Sequence, residues 1–242
     1  MANSMLYFAR HAYCCIEGRN AVVLDLFNNE YLSIPVAQLD ALSSHIGNWP
    51  RQAEADGREQ PALSPDAHSL LGQMSACGLL TPDLSKCNPE IPTSKHPRLR
   101  PLTPEPDFDY IPKTHFRHLP SFLIAASRAA AALQWCPLLQ IVNSVTRNQP
   151  QDVDIEQPAS LRRLRSLVEA YAGLRPFFPR PYVCLFDSLA LAYFLSLHGI
   201  RPRLVFGVQT GPFAAHCWLQ FRDIVLNDSV ERVLAYTPIM RV

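Results

Sequence analysis

At 242 residues and 48% hydrophobic composition, the chain can bury one large core or two modest ones, which excludes disorder throughout and a small stapled scaffold. A formal charge of +1 argues against a dedicated nucleic-acid binder, and no metal or other cofactor is expected. Seven cysteines at 14, 15, 77, 87, 136, 184 and 217 form an odd set without paired spacing, and the N-terminus lacks a secretory pattern, so a reducing, cytoplasmic setting is expected.

The apolar stretches Met5–Phe8, Ala21–Phe27 and Tyr31–Ile34 read as strands, with Asn28-Asn29 as a turn because Asn tolerates positive φ. Two helices are expected next. Val36–Ile46 opens after Pro35 and stops before Gly47, and Pro65–Cys77 has Ser64 as N-cap, Pro65 in its first turn and Gly78 as its stop. Leu70, Leu71 and Met74 form an apolar stripe on the second helix. Strands followed by helices over 1–81 predict a small winged-helix-like module whose sheet edge can accept an extended peptide; a plain α+β domain with no ligand is the alternative.

Of 22 prolines, eight lie between Pro82 and Pro112, and missing amide donors with fixed φ stop both helix and ladder there. This reads as a linker, the alternative being a long surface crossover within one domain. Residues 1–81 carry 4 basic and 8 acidic side chains, 82–112 carry 4 and 5, and 113–242 carry 14 and 8, giving net charges of −4, −1 and +6. Ser121–Val142 is the most lipid-like stretch. Arg128, Gln134, Pro137 and Gln140 interrupt it, so a partly buried helix over Ser121–Leu133, ended or kinked at Pro137, is expected rather than a membrane span. Leu161–Ala172 predicts a further helix with Leu161, Leu164, Leu167, Val168 and Tyr171 inward and Arg162, Arg163 and Arg165 on a solvated face.

The last quarter carries the chemistry. Pro179 and Pro181 force an extended approach to an apolar helix that opens at Cys184 and stops at His198-Gly199. A sulfur in the first helical turn meets orphan amides and the positive end of the helix dipole, which favour thiolate. Asp187 can accept from the same amides, though its charge opposes thiolate formation if it points at the sulfur. Arg203–Val208 and His216–Phe221 alternate like strands around a Thr210-Gly211-Pro212 turn, and Ile224–Leu226 begins a third behind Arg222-Asp223. His216 thus opens one antiparallel strand and Asp228 closes the next, so their side chains meet at one sheet edge.

Cys184, His216 and Asp228 then supply a nucleophile, a base and a group that fixes the base's tautomer. Cys217 is read as packing, because strand alternation turns it away from His216, and Trp218 as a core aromatic. His198 sits about 21 Å from Cys184 by helical rise, too far to act as base. A metal site on Cys184, His216 and Asp228 is the alternative, although no C-x-x-C or H-x-x-x-H spacing presets a coordination geometry.

Cys184-Leu185, Ser188-Leu189-Ala190-Leu191, Ala215-His216-Cys217-Trp218 and Leu226-Asn227-Asp228 together resemble the transglutaminase-like leader peptidases of lasso-peptide biosynthesis, the B proteins. The intervals of 32 residues from Cys184 to His216 and 12 to Asp228 fit that family's Cys, His, Asp order. The resemblance implies an α+β chain in three parts: a PqqD-like leader-recognition element over 1–81, a Pro-rich linker over 82–112, and a papain- or transglutaminase-like domain with an antiparallel sheet over 113–242. It implies that the leader lies as a strand along Tyr31, Leu32, Ser33 and Ile34, against a helix bearing Leu70 and Met74. It also implies a lasso precursor peptide as substrate and an asparagine-synthetase-like cyclase as partner. Nothing in the chain resembles a phosphate loop, so any ATP requirement belongs to that partner. Acyl transfer to an amine, as in true transglutaminases, and a non-catalytic peptide-binding scaffold are the competing functions.

Overall fold

A computed structural model describes residues 5–35, 38, 42–50, 65–89, 98–102, 116–146 and 158–242. It divides into two compact units that do not follow the chain linearly: 1–96 with 207–215 and 236–240, and 97–206 with 216–235 and 241–242. Helices and sheets are both present, as an α+β chain requires.

The first unit is built on an antiparallel sheet of β2 (Ala12–Glu17), β3 (Asn20–Asp25) and β4 (Glu30–Pro35), in that order, with β4 its last strand. The β3–β4 turn lies where two asparagines predict it. Asn29 takes φ +57°, and the Asp25 carboxylate accepts from the Phe27 and Asn28 amides at 2.8 and 3.2 Å, an Asx-type closure. Gly18 at φ +57° turns β2 into β3. One face of the sheet, with Ala12, Cys14, Ala21, Val23 and Ile34, shares a core with Leu42, Ile46, Trp49, and Leu71 and Met74 of α1 (Pro65–Ala76). Gly78 follows that helix at φ +76°, the stop read from the sequence.

One strand expectation needs correction, and one strand was not expected. Met5–Phe8 does not join this sheet; β1 (Tyr7–Phe8) pairs with β5 (Leu80–Thr81) instead. The strand that takes its place, Ala12–Glu17, has buried residues on both faces, so AYCCIE shows no alternation to betray it. Of the expected helix Val36–Ile46, residues 38, 42 and 43 are helical, while 36, 37 and 39–41 lie outside the described residues, as do Ser64 and most of the Pro-rich segment.

The second unit is mainly helical: α2 (Leu119–Trp135), α3 (Leu138–Thr146), α4 (Pro158–Leu174), α5 (Cys184–Leu197) and the short α6 (Val230–Leu234). Pro137 separates α2 from α3, and among the described residues no helix is long and apolar enough to cross a membrane. Nine of the ten residues of α5 from Phe186 to Leu195 are buried, all but Asp187, so this helix runs through the core rather than along its surface. Ala125, Ala126 and Ala129 of α2 are fully buried, and their short side chains let the two backbones approach closely. The arginine face of α4 is only partly solvated. Arg165 is half-buried and donates to the Leu102 carbonyl at 2.9 Å, while exposed Arg163 donates to that of His198 at 2.8 Å.

Strands β10 (Thr237–Arg241), β7 (Arg203–Thr210), β8 (Phe213–Phe221), β9 (Ile224–Val225) and β6 (Arg100–Pro101) form a five-stranded sheet in that order. It is mixed rather than purely antiparallel, because β6 pairs with β9 in parallel, anchored by Arg100 donating to Asp223 at 2.6 and 3.0 Å. The hairpin after β7 uses only Gly211-Pro212, so β8 begins at Phe213, and His216 sits within the strand rather than opening it. β9 is two residues long and Asp228 lies beyond its end, not at its close.

Candidate active site

Cys184 is the first residue of α5. Val183 before it is extended, at φ −135° and ψ 127°, but its side chain offers no cap. The cap comes from inside the helix: Asp187 accepts from the Val183 amide at 2.8 Å through Oδ2, and its Oδ1 is paired with the buried guanidinium of Arg175. The same guanidinium donates to the carbonyls of Phe178, Arg180 and Pro181 at 3.3, 3.0 and 3.0 Å, and the Tyr182 ring lies over it at 4.3 Å. One buried cation therefore gathers the carbonyls of the approach loop and holds one oxygen of Asp187, whose other oxygen is held by the Val183 amide. Asp187 is not among the groups that shift the Cys184 thiol. Sequence reasoning missed Arg175, which stands in a run of prolines, arginines and phenylalanines with nothing to distinguish it.

The sulfur meets β8 where that strand loses its neighbour. β8 pairs with β9 only at Gln220↔Val225 and Phe221↔Ile224. Past Val225, side chains and a helix take over the role of the missing strand. Leu226 still donates to the Leu219 carbonyl at 3.0 Å, and the Asn227 side chain accepts from the Leu219 amide at 2.8 Å. Two residues further along β8, the Cys217 amide donates to the Cys184 sulfur and its carbonyl accepts from Ser188 Oγ at 3.3 Å. Cys184 and Ser188 are four apart on α5, so they stack on one helical face and cap one residue of the strand edge. Asn227 closes the circuit, donating to Ser188 Oγ at 2.9 Å. Ser188 and Asn227 were quoted in the sequence only as parts of the motif; the signal that could have singled them out is their spacing, one turn after Cys184 and one residue before Asp228.

This edge-on approach brings together the three residues predicted to meet. His216 Nε2 is hydrogen-bonded to Asp228 Oδ2, and His216 also hydrogen-bonds the Cys184 sulfur, which leaves Nδ1 for that contact. The second Asp228 oxygen accepts from the Ser229 amide at 2.8 Å, and Ser229 Oγ caps α6 by accepting from the Arg232 amide at 3.2 Å. His216 is 7% exposed, its ring stacked at 6.1 Å on the fully buried Trp218, which is the core aromatic it was read to be.

Cys217 needs correction. It is buried, as a packing residue would be, but it is not turned away from the site: its thiol hydrogen-bonds the Cys184 sulfur. Strand alternation separates side chains approached face-on. A sulfur approaching the edge in the plane of the strand touches the side chains of successive residues and the amide between them.

The electrostatics follow from these contacts. Hydrogen bonds from the Cys217 thiol and from His216, with the Cys217 amide and the imidazolium charge, outweigh burial and lower the Cys184 thiol to about 4. The hydrogen bond to Asp228, then that to Cys184, raises His216 to about 9 against burial. Burial by itself would raise the Asp228 carboxyl, but His216 and the Ser229 amide hold it below the usual range. Cys217 goes the other way, raised by its bond to the Cys184 sulfur and by burial. Between the titrations of Cys184 and His216 the resting site is a thiolate–imidazolium pair.

That pair lies on a cavity of about 520 Å³ whose other walls include Val168 and Tyr171 of α4, Leu191 of α5, and Arg232. The arrangement suits nucleophilic attack on a carbonyl carbon followed by proton return to a leaving group.

The residues expected to hold a leader lie in the first unit. On β4, Leu32 and Ser33 are exposed and Tyr31 is half-buried, with its ring 5.5 Å from that of Phe213. Ile34 and Met74, at 4% exposure each, turn into the core and offer no side chain to a ligand, while Leu70 packs against that core from its margin.

Residues 123–241 match the family model described as the transglutaminase-like superfamily, a span that contains Cys184, His216 and Asp228. No curated protein and no solved structure resembles the chain closely enough to count as a match.

Proposed function

With a transglutaminase-like superfamily domain at 123–241 as the premise, we propose that the protein is a cysteine endopeptidase that removes the leader from a ribosomally made lasso precursor peptide. The observation that carries the reading is the chain of hydrogen bonds from the Cys184 sulfur through His216 to Asp228 at the wall of an open cavity. That superfamily holds cysteine-protease-like and acyl-transferring enzymes, and the motif around each of the three residues resembles the lasso-peptide B proteins.

In this reading the Cys184 thiolate attacks the scissile carbonyl, and the backbone amide of Cys184 at the helix start donates to the developing oxyanion. The His216 imidazolium gives its proton to the leaving amine, so the core peptide departs first with a free N-terminus. His216, now neutral, takes one proton from water, whose hydroxyl attacks the thioester; the thiolate is restored and the leader leaves as a carboxylic acid that gives its remaining proton to solvent. Asp228 holds the imidazole in place throughout. The leader adds to β4 as an extended strand beside Leu32 and Ser33, residues 1–81 serving as the recognition element, and an asparagine-synthetase-like partner closes the freed amine into a macrolactam. A cytoplasmic enzyme without a cofactor of its own fits this sequence of steps.

Incubating the full chain with a precursor peptide and weighing the products tests the reading. Two fragments whose masses sum to the precursor plus one water are expected. Loss of ammonia with the peptide intact would replace hydrolysis with acyl transfer, and an unchanged peptide that nevertheless binds would leave only a scaffold.

A further inference from the structure

Of the two residues that hydrogen-bond the Cys184 sulfur, His216 and Cys217, the hydrolytic steps leave Cys217 without a task. All seven cysteines are free thiols, and these two alone are hydrogen-bonded sulfur to sulfur among the described residues. Their placement is built rather than incidental. The Cys217 amide and thiol both reach Cys184, while Ser188, one turn along the same helix, holds the Cys217 carbonyl at 3.3 Å. Three hydrogen bonds between α5 and β8 thus hold the two cysteines together, and both line the cavity, Cys184 half-exposed and Cys217 buried.

We propose that Cys184 and Cys217 form a reversible disulfide when the protein meets hydrogen peroxide, Cys217 acting as the resolving thiol that shields Cys184 from irreversible oxidation. A thiolate open to solvent is the form that peroxides oxidise, and Cys184 has both attributes. Its sulfur attacks one peroxide oxygen, the O–O bond breaks, and the departing hydroxide takes the His216 proton to become water. Cys184 is now a sulfenic acid, oxidised by two electrons, and the peroxide has been reduced. The Cys217 sulfur then attacks the Cys184 sulfur, the S–O bond breaks, and the Cys217 proton leaves with the hydroxide as a second water. An S–S bond of about 2.05 Å then replaces the hydrogen bond between the two sulfurs.

Burial keeps Cys217 from reacting with peroxide on its own account, and its raised titration keeps its proton in place for that departing hydroxide. A small dithiol reverses the change by attacking the accessible Cys184 sulfur. The inference goes beyond the peptidase reading: it requires Cys184 to be a reactive thiolate but says nothing of the substrate.

The test uses the full chain without any peptide, so a failure of leader cleavage leaves it untouched. The protein is treated with hydrogen peroxide, quenched with an alkylating reagent, and analysed intact and after non-reducing digestion. The expected product has lost two hydrogens, yields a cross-linked peptide joining residues 184 and 217, and recovers alkylation of Cys184 after dithiothreitol. In Cys217→Ser the same treatment should give the sulfinic or sulfonic acid at Cys184, with no recovery. Wild-type protein that gains two or three oxygens at Cys184 without the 184–217 cross-link overturns the proposal, as does a cross-link from Cys184 to any other cysteine. The wild-type digest decides the matter by itself if the serine variant does not fold.

Discussion

Two of the strand edges among the described residues, those of β8 beyond Val225 and of β4, are treated oppositely. Beyond Val225, the edge of β8 is closed by Cys184 and Ser188 of α5 and by the Asn227 side chain, each supplying a backbone group with the partner a strand would have provided. At β4, among the described residues, no strand of the sheet lies beyond Glu30–Pro35, and Leu32 and Ser33 are exposed. An edge closed by a helix becomes rigid and forces chosen side chains into contact. An edge left at the end of a sheet can add a strand from another chain. Closure suits chemistry, which needs fixed geometry, and an available edge suits recognition of an extended peptide largely through its main chain.

The contrast can be broken by removing one function and measuring the other. Cys184→Ala, which removes the proposed nucleophile, should lower precursor cleavage by at least about 10⁴-fold while leaving precursor affinity within about twofold. Isothermal titration of the inactive variant with precursor reads the second quantity directly. Leu32→Asp, a charge on the exposed edge, should do the reverse, raising KM about tenfold, or 1.4 kcal/mol, with kcat preserved. A Leu32 variant that loses kcat instead would mean that the two edges are not separable.

The pH dependence sharpens the chemical side of the comparison. With Cys184 lowered to about 4 and His216 raised to about 9, kcat/KM should rise as the thiolate forms, stay level across neutral pH, and fall as the imidazolium loses its proton. The largest contributor to the raised His216 is its hydrogen bond to Asp228, so Asp228→Asn should move the alkaline limb to lower pH and cost about 10²-fold at neutrality. His216→Ala, which deletes the proton carrier itself, should cost more, about 10⁴-fold. A pH–rate profile of Asp228→Asn with an unmoved alkaline limb would remove Asp228 from its orienting role.

How much of this was legible in the sequence depends on the range of the cause. The helix opening at Cys184 and the stops at Gly78 and Gly199 are local, set by prolines before and glycines after, and each is where the sequence puts it. The meeting of Cys184, His216 and Asp228 was also readable, because a short hairpin and a short third strand limit where the last two can go. Strand β2 was hidden because burial on both faces erases alternation. The contact of Cys217 with Cys184 was hidden for a different reason: alternation predicts which face a residue occupies, but not that a helix would arrive at the edge. Arg175 had no local signature, since its four partners are scattered from Phe178 to Asp187 and only the folded loop collects them.

The smallest expected effect tests whether closing the edge matters to chemistry or only to stability. Ser188 is fully buried, and its hydroxyl donates to the Cys217 carbonyl while accepting from Asn227. Ser188→Ala leaves that carbonyl and that amide without their shared partner, a loss of about 1–3 kcal/mol, so Tm should fall by several degrees. If the hydroxyl also fixes the distance between α5 and β8, the Cys184–Cys217 hydrogen bonds loosen and lose part of their hold on the thiolate. The ultraviolet titration of the thiolate should then shift upward, and kcat should fall about tenfold with KM unchanged. A lowered Tm with an unshifted thiolate titration, measured well below unfolding, would reduce Ser188 to a structural residue and detach the closed edge from catalysis.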